Sequence, residues 1–401
     1  MALWGVKFCM MKEYIVSIKI GNYKTSAWVV GFDKRFAVCG DVLKLRMSNN
    51  MMFQQINTVV YDDGVGNISN DPIDGEPVFG FIRKIDKLRC DGKACKALTA
   101  FIKSLYVLML KYNDILKVDG NGSTNFYLCV TYPSNWTKKE GQDYANFLND
   151  ALKPFGVEIM WAINESIAAY ANYYLQDVSQ KNVDKCVLLI DYGPTAINYT
   201  VMHYGIVVPE LSWSDYSLGA SNIEKIILAD YSKQERFQEV YQKTMDKLRS
   251  DALESVNILL ELLFEIRKAK ENCVIEGYYP DFTFQLNVIQ RHDILARYDP
   301  NWIRDKMTYL FDYECNMDEV LNDYKVELLQ SFRNISKKMF QFGGLQADRV
   351  VLYGGGTLMP WVKSIVMDGF ATKKVFMCDP MPEARGGAIY AREKLLNVVK
   401  Y

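Results

Sequence analysis

Histidine is nearly missing from this chain, since only His203 and His292 occur among its 401 residues. Cysteine is more frequent, with nine residues, but no two of them form a CxxC pair. Zinc sites are built mainly from closely spaced cysteines and histidines. We therefore expect no zinc site, and we assign neither histidine a catalytic role.

Excess charge, long apolar runs and a secretion signal are also lacking. Lys and Arg number 47 against 48 Asp and Glu, which gives a formal net charge of −1. A nucleic-acid-binding surface needs a basic stripe, so we expect no nucleic-acid partner. No uncharged apolar run reaches the roughly 20 residues of a membrane span, and residues 1–14 lack a cleavable apolar core. We expect no membrane span and a cytoplasmic location.

The composition and length are instead those of a folded protein with two lobes or more. Apolar residues make up 49% and charged residues 24%, which is typical of globular chains. A length of 401 residues accommodates two domains of about 100–200 residues each. Because no low-complexity linker occurs, we expect lobes joined by interleaved chain crossings rather than by a flexible tether.

A strand, a glycine turn and a second strand occur twice in the sequence. The first unit covers residues 14–30 around Gly21-Asn22, a dipeptide typical of hairpins. The second has an apolar strand at 186–190, a turn at 191–195 and a return strand at 196–203. This arrangement predicts an internal duplication of architecture without repeated sequence.

Helical patterns alternate with further strands. Apolar spacing predicts a helix at 95–115, and the run at 126–132 predicts a strand that Pro133 ends. Ser134 or Asn135 is the expected cap of a helix that ends near Leu152. The other expected elements are a strand at 157–161, helices at 165–175, 324–342, 361–370 and 383–399, a charged helical region at 232–273 and a β-rich region at 274–287.

Three consecutive glycines, Gly354, Gly355 and Gly356, follow an apolar strand at 350–353. Glycine at a strand end tolerates positive φ and lets a ligand come close to backbone N–H groups. The pattern is typical of a ligand-binding turn, but a plain tight turn has the same residues.

Five segments in a fixed order resemble the actin-like ATPase superfamily, and within it the nucleotide-binding domain of DnaK-type heat-shock chaperones. They are IKIGN at 18–22, VTYPSNW at 130–136, INESIAAY at 163–170, LIDYGPT at 189–195 and VVLYGGGTLMP at 350–360. Weaker matches are SLGAS at 217–221 and RKAK at 267–270, and EARGGA at 383–388 is similar to bacterial actins. The resemblance covers about residues 14–395.

The resemblance implies an α/β protein with the two-lobed actin-like ATPase fold, each lobe carrying a ribonuclease-H-like mixed sheet flanked by helices. Lobe I would comprise residues 1–180, with 375–401 returning to it. Lobe II would comprise residues 181–374, including a helical and β subdomain at about 225–310. ATP or ADP, with or without Mg²⁺, would bind between the lobes.

The resemblance also implies the site residues. Glu165 and Asp191 would be catalytic, and Asp191 would hold Mg²⁺ through water. Plainer alternatives are that Asp191 caps its turn and that Glu165 stabilises the first turn of its helix. The predicted nucleotide contacts lie in the turns and in the weaker matches: Lys19, Gly21, Asn22, Gly193, Thr195, Gly219, Lys270, Gly354, Gly355, Gly356 and Leu358.

The sequence departs from the family pattern at the phosphate and metal end. Lys19 stands where the family has an aspartate, and lysine cannot ligate Mg²⁺. It is either a point charge against phosphate or a solvated strand residue. Pro194 replaces a glycine and removes an N–H donor. Arg267 replaces a glutamate, and the family's catalytic lysine of lobe I is left unassigned between Lys84 and Lys87. We therefore expect weak or lost hydrolysis.

These features predict a nucleotide-dependent switch whose closure alters a surface seen by a protein partner. Two alternatives stay open. One is a filament-forming protein like the bacterial actins, which self-associates head to tail. The other is a non-enzymatic scaffold that keeps the fold without binding nucleotide. A sugar kinase of the same superfamily is a weaker option, and we expect no chaperone-type substrate domain.

Overall fold

The computed structural model shows a mixed α/β protein with two mixed sheets flanked by helices. It describes residues 13–33, 38–47, 56–62, 68–69, 76–79, 92–116, 126–176, 184–235, 263, 266–287 and 310–395. Lys84, Lys87 and His292 lie outside these ranges, as does most of the charged region expected at 232–273.

The strands are β1 (Glu13–Ile20), β2 (Lys24–Asp33), β3 (Val38–Lys44), β4 (Ile56–Asn57), β5 (Val59–Asp62), β6 (Ile68–Ser69), β7 (Glu76–Phe79), β8 (Phe126–Tyr132), β9 (Ile159–Asn164), β10 (Cys186–Tyr192), β11 (Ile197–His203), β12 (Ile206–Asp215), β13 (Asp281–Asn287), β14 (Leu310–Asn316), β15 (Arg349–Tyr353) and β16 (Val375–Met377). The helices are α1 (Lys93–Tyr112), α2 (Lys138–Leu152), α3 (Glu165–Gln176), α4 (Ser221–Tyr231), α5 (Met317–Val320), α6 (Asn322–Gln341), α7 (Val362–Phe370) and α8 (Pro382–Leu395). Short 3₁₀ helices cover Asp114–Leu116, Lys153–Phe155 and Gly355–Leu358, and residues 266–275 are helical.

The two larger sheets have the same strand order. The first runs β3-β2-β1-β8-β9, with β4 beside β2, and the second runs β12-β11-β10-β15-β16. In each sheet the first three strands of this order pair antiparallel. The third, fourth and fifth strands pair parallel. The predicted pair of strand–turn–strand units is confirmed. Two small sheets, β6-β5-β7 and β13-β14, complete the pairing among the described residues.

Strand β1 shows why these apolar runs form central strands. Successive side chains of a strand point to opposite faces of the sheet. Val16 and Ile18 join the core formed with α1 and α2, whereas Ile15 joins the opposite core, formed with α3 and α8. Helices cover both faces of β1, but only the face of Val16 and Ile18 is wholly apolar, because buried Ser17 and Lys19 follow Ile15 on the other face.

Helix α3 contacts both sheets. Ala168 packs in the core of the first sheet together with Ile15. Ala169 and Tyr173 pack against Val187 in the second sheet. Glu165, in the first turn of α3, therefore lies where the two sheets come together.

Three predicted boundaries were wrong. The cap of α2 is Thr137 rather than Ser134 or Asn135, because Thr137 and Glu140 form a capping box. The Thr137 hydroxyl accepts the Glu140 N–H at 3.2 Å, and the Glu140 carboxylate accepts the Thr137 N–H at 2.7 Å. The strand expected at 157–161 lies at Ile159–Asn164, and the region expected to be β-rich from residue 274 starts as helix.

The chain returns to the first sheet after its last strand. Residues 375–377 form β16 of the second sheet, and α8 then packs on α3, β1 and β2. None of the described helices combines the length and the apolar character needed to cross a bilayer.

Candidate functional site

A cavity of about 1150 Å³ contains nearly all of the predicted site residues in its lining. They are Lys19, Gly21, Asn22, Glu165, Asp191, Gly193, Thr195, Lys270, Gly354, Gly355, Gly356 and Leu358. Gly219 is the exception. A Cβ at Gly219 would overlap the backbone of Thr195 and Ala196. This glycine therefore packs against the second turn and does not line the cavity.

The two glycine turns have the same internal geometry. The Gly21 N–H donates to the Lys24 carbonyl at 3.0 Å, and the Gly193 N–H donates to the Ala196 carbonyl at 3.0 Å. Both glycine amides are therefore used to close their own turns. Because Pro194 has no N–H, Thr195 supplies the one further backbone donor between Gly193 and Ala196.

Lys19 and Asp191 occupy equivalent positions, each two residues before its turn glycine. Both are buried, with 8% and 7% of their surface exposed. Glu165 and Glu383 lie beside them with 5% and 2% exposed. The Lys19 ammonium pairs with Glu165 and lies 3.2 Å from Glu383 Oε1. The interpretation of Lys19 as a solvated residue was wrong, whereas its role against phosphate stays a prediction.

Glu165, Asp191 and Glu383 form an acidic cluster in which one oxygen of each lies within 4.8 Å of the others. Burial raises the pKa of Asp191 to about 6 and that of Glu383 to about 7, although the Lys19 charge acts in the opposite direction. Burial works against the charge of Lys19, but the nearby carboxylates outweigh it and raise the lysine pKa. Asn198 donates to Asp191 Oδ2 at 3.0 Å. The protonation of Asp191 and Glu383 therefore changes near neutral pH.

This cluster makes stability depend on pH in a defined direction. The folded protein holds protons on Asp191 and Glu383 to higher pH than the ordinary values of 3.8 and 4.5. The unfolded chain binds fewer protons in that window, so the free energy of unfolding falls as pH rises from about 4 to about 7. We expect Glu383→Gln to flatten this slope by about one proton, or 1.36 kcal/mol per pH unit. Urea unfolding at several pH values measures it, and equal slopes for the two proteins would contradict the prediction.

A second group of buried charges also lines the cavity. Glu224, with 1% of its surface exposed, accepts from Arg267 at 3.3–3.4 Å and also pairs with Lys270. The Arg267 guanidinium lies 3.6 Å from the centre of the Tyr23 ring. Burial opposes the guanidinium charge, yet Glu224 and Tyr23 raise the pKa of Arg267. These contacts hold Lys270 at the edge of the cavity.

Contacts across the cavity join its two sides. Tyr23 meets Arg267 as described, and Lys24 lies 3.6 Å from Glu271. Asn135, which also lines the cavity, donates to the Tyr216 hydroxyl at 2.7 Å. Both contact sets connect the first hairpin or the segment after β8 with segments that follow the second hairpin.

In the triple-glycine segment, two positions require glycine for packing and the third does not. Gly354 has φ +92, and a Cβ there would lie 2.5 Å from the Tyr192 carbonyl oxygen. A Cβ at Gly356 would lie 2.6 Å from the Tyr192 ring. A Cβ at Gly355 would have no neighbour within 4 Å. Two glycines therefore permit close packing around Tyr192, and Gly355 gives the cavity wall an open face.

Sequence analysis missed Glu224 and Glu383 as site residues. Both lie in or beside segments that carry the resemblance, since Glu224 follows SLGAS in α4 and Glu383 begins EARGGA. Nothing in their spacing shows that they face Lys270 or Lys19, because 46 and 364 residues separate the partners along the chain. The tertiary fold alone brings these pairs together.

The chemistry of the acidic cluster tests the fit of Mg²⁺. Carboxylate oxygens suit a hard cation, but the Lys19 ammonium already lies among them. As the residues stand, the cluster does not fit a directly bound Mg²⁺, and the water-mediated role of Asp191 stays a prediction.

A scan of the sequence against protein-family models found no match, and a search of curated proteins found no significant match.

Proposed function

We propose that the protein binds an adenine nucleotide in this cavity and acts as a nucleotide-dependent switch with weak or lost ATP hydrolysis. The observation that carries the proposal is that two hairpin turns of equal geometry line one cavity, together with the triple-glycine segment. Glycine turns that face a cavity from two sides suit a polyphosphate, which is bound mainly through backbone groups and fixed charges.

The proposed site lies between two lobes. The equal strand orders of the two sheets and the position of α3 between them support a two-lobed actin-like arrangement. Lobe I would be residues 1–180 with the C-terminal helix, and lobe II residues 181–374. Nucleotide would bind between them and close one onto the other.

Weak hydrolysis follows from the phosphate end of the cavity. Lys19 replaces a carboxylate at the first turn, and Pro194 removes a backbone donor at the second. The loss of one donor that stabilises a transition state typically costs about 10²–10³ in rate. Glu165, which would orient water, is already paired with Lys19.

The contacts across the cavity are the interactions that would change when the switch closes. Tyr23, Lys24 and Asn135 connect to Arg267, Glu271 and Tyr216 by one stacking contact, one ion pair and one hydrogen bond. Exposed ion pairs are worth less than about 1 kcal/mol each, so a ligand that binds both sides can change how far the cavity closes. A protein partner would sense that change.

A scaffold that binds no nucleotide is the second candidate. It is favoured because the buried cations of the cavity already have partners. Arg267 and Lys270 pair with Glu224, and Lys19 pairs with the acidic cluster. A filament of the bacterial-actin type is the third and is tested by light scattering with and without ATP.

Calorimetric titration with ATP and ADP, followed by a phosphate-release assay, separates these functions. We expect nucleotide binding without significant release of phosphate. Gly355→Leu should weaken binding by at least about tenfold, because its side chain extends into open space beside the cavity. Lys363→Leu, on the exposed face of α7, is the matched control and should bind like the wild type. No heat of binding at millimolar ATP would favour the scaffold.

A further inference from the structure

We propose that the Lys19 ammonium is the resident cation of the acidic cluster and replaces a divalent metal there. The cavity would then take its nucleotide without a metal ion held by the protein. The statement about nucleotide rests on the function proposed above, whereas the statement about the cation stands independently of it.

The three carboxylates of the acidic cluster favour a positive charge among them when they are ionised. Glu165, Asp191 and Glu383 are all buried and place carboxylate oxygens within 4.8 Å of one another. Like charges at this spacing in a buried site repel strongly unless they are neutralised. A divalent ion could neutralise them, and so can an ammonium group with three N–H donors.

Lys19 is fixed in the position to do so. It lies in β1 opposite Ser26 of β2, and its Cε would be 3.7 Å from a Cβ at Gly21. Its ammonium contacts Glu165 and Glu383 from that position. The β1 backbone is paired with β2 at Lys19 and with β8 up to Ile18, so the lysine stem starts from a fixed point next to the acidic cluster.

One atom of the cluster shows where a metal would bind if the lysine were removed. Glu383 Oε2 is buried and has no hydrogen-bond partner in the described part of the chain. Lysine neutralises one charge and leaves this oxygen unsatisfied. A divalent ion in place of the ammonium could use it as a ligand together with Glu165 and Asp191.

Binding of Mn²⁺ to the full chain without nucleotide, measured by electron paramagnetic resonance, tests the statement about the cation. We expect the wild type and the exposed-lysine control Lys363→Ser to bind no Mn²⁺ in the cluster. Lys19→Ser should bind Mn²⁺ at least about tenfold more tightly than either. Adding Glu383→Gln to Lys19→Ser should remove most of that gain.

Thermal unfolding provides a second measurement on the same proteins. Mn²⁺ should raise the melting temperature of Lys19→Ser but not that of Lys363→Ser or Lys19→Arg, because a ligand stabilises only a state that binds it. A Lys19→Ser chain that folds only with Mn²⁺ supports the inference. Wild-type protein that binds Mn²⁺ as tightly as Lys19→Ser overturns it, as does a Lys19→Ser chain that gains no Mn²⁺ binding or stays unfolded in millimolar Mn²⁺.

Titration of the wild type with ATP, in EDTA and in Mg²⁺, tests the statement about nucleotide. We expect the two affinities to agree within about threefold, since the protein contributes no metal ligand. An affinity more than about tenfold weaker in EDTA would overturn it. If neither titration shows binding, the proposed function fails, and the Mn²⁺ measurements still decide whether Lys19 replaces a metal.

Discussion

Replacement of Lys19 by methionine should lower the free energy of unfolding by about 3–5 kcal/mol at about pH 8, the usual cost of removing one partner from a buried ion pair. Methionine keeps most of the length and apolar volume of the lysine stem, so the change removes mainly the charge. Glu165, Asp191 and Glu383 would then face each other in a buried site without a counter-charge.

The loss should be smaller at about pH 5. Below their raised pKa values of about 6 and about 7, Asp191 and Glu383 take up protons, and the repulsion decreases. Urea unfolding of the wild type and Lys19→Met at both pH values measures the difference. The double variant with Glu383→Gln should recover part of the loss, because the two residues share one network.

Lys24→Met is the matched control for this prediction. Lys24 belongs to the same hairpin, but its side chain is 39% exposed and its ion pair with Glu271 is long, at 3.6 Å. An exposed pair of this kind contributes less than about 1 kcal/mol. If Lys24→Met and Lys19→Met lowered stability equally, the buried ammonium would not be the cation on which the cluster depends.

Gly386→Ala should lower the free energy of unfolding by about 3 kcal/mol or more. Gly386 lies in α8, where this helix crosses α3. A Cβ at this position would overlap the Ala168 carbonyl oxygen and lie 3.1 Å from Asn172 Cβ. Backbone atoms of a buried helix cannot move aside as a flexible side chain can, so the two helices would have to separate.

Gly355→Ala is the control for the glycine prediction. A Cβ at Gly355 meets nothing within 4 Å, so its loss of stability should be within about 0.5 kcal/mol. Thermal or urea unfolding of both variants tests the pair. A Gly386→Ala protein as stable as Gly355→Ala would show that α8 does not pack against α3 at this distance.

Local structure was largely predictable because its causes are local. Apolar-rich runs predicted β1, β8 and β10, and the spacing of Leu98, Phe101, Ile102 and Leu105 predicted α1. The cap of α2 was missed even though the Thr137–Glu140 spacing is that of a capping box. A strand boundary was misplaced at β9, where the apolar run ends without a strong turn residue.

Some glycines were predictable from local sequence, and others were not. Gly21 and Gly193 were predictable as turn residues, since the residues around them form hairpins. The reason for Gly386 is an α3 backbone more than 200 residues away along the chain, and a sequence does not show which helix will cross another at close range.

The duplicated hairpins, their turns and their apolar positions could be predicted from local sequence. Only folding places Lys19 among Glu165, Asp191 and Glu383, and Arg267 and Lys270 on Glu224. The physical reason is that hydrogen bonding along a strand or helix depends on neighbours in the chain. The energy of a buried charge depends instead on distances of a few ångströms to groups that only folding brings together.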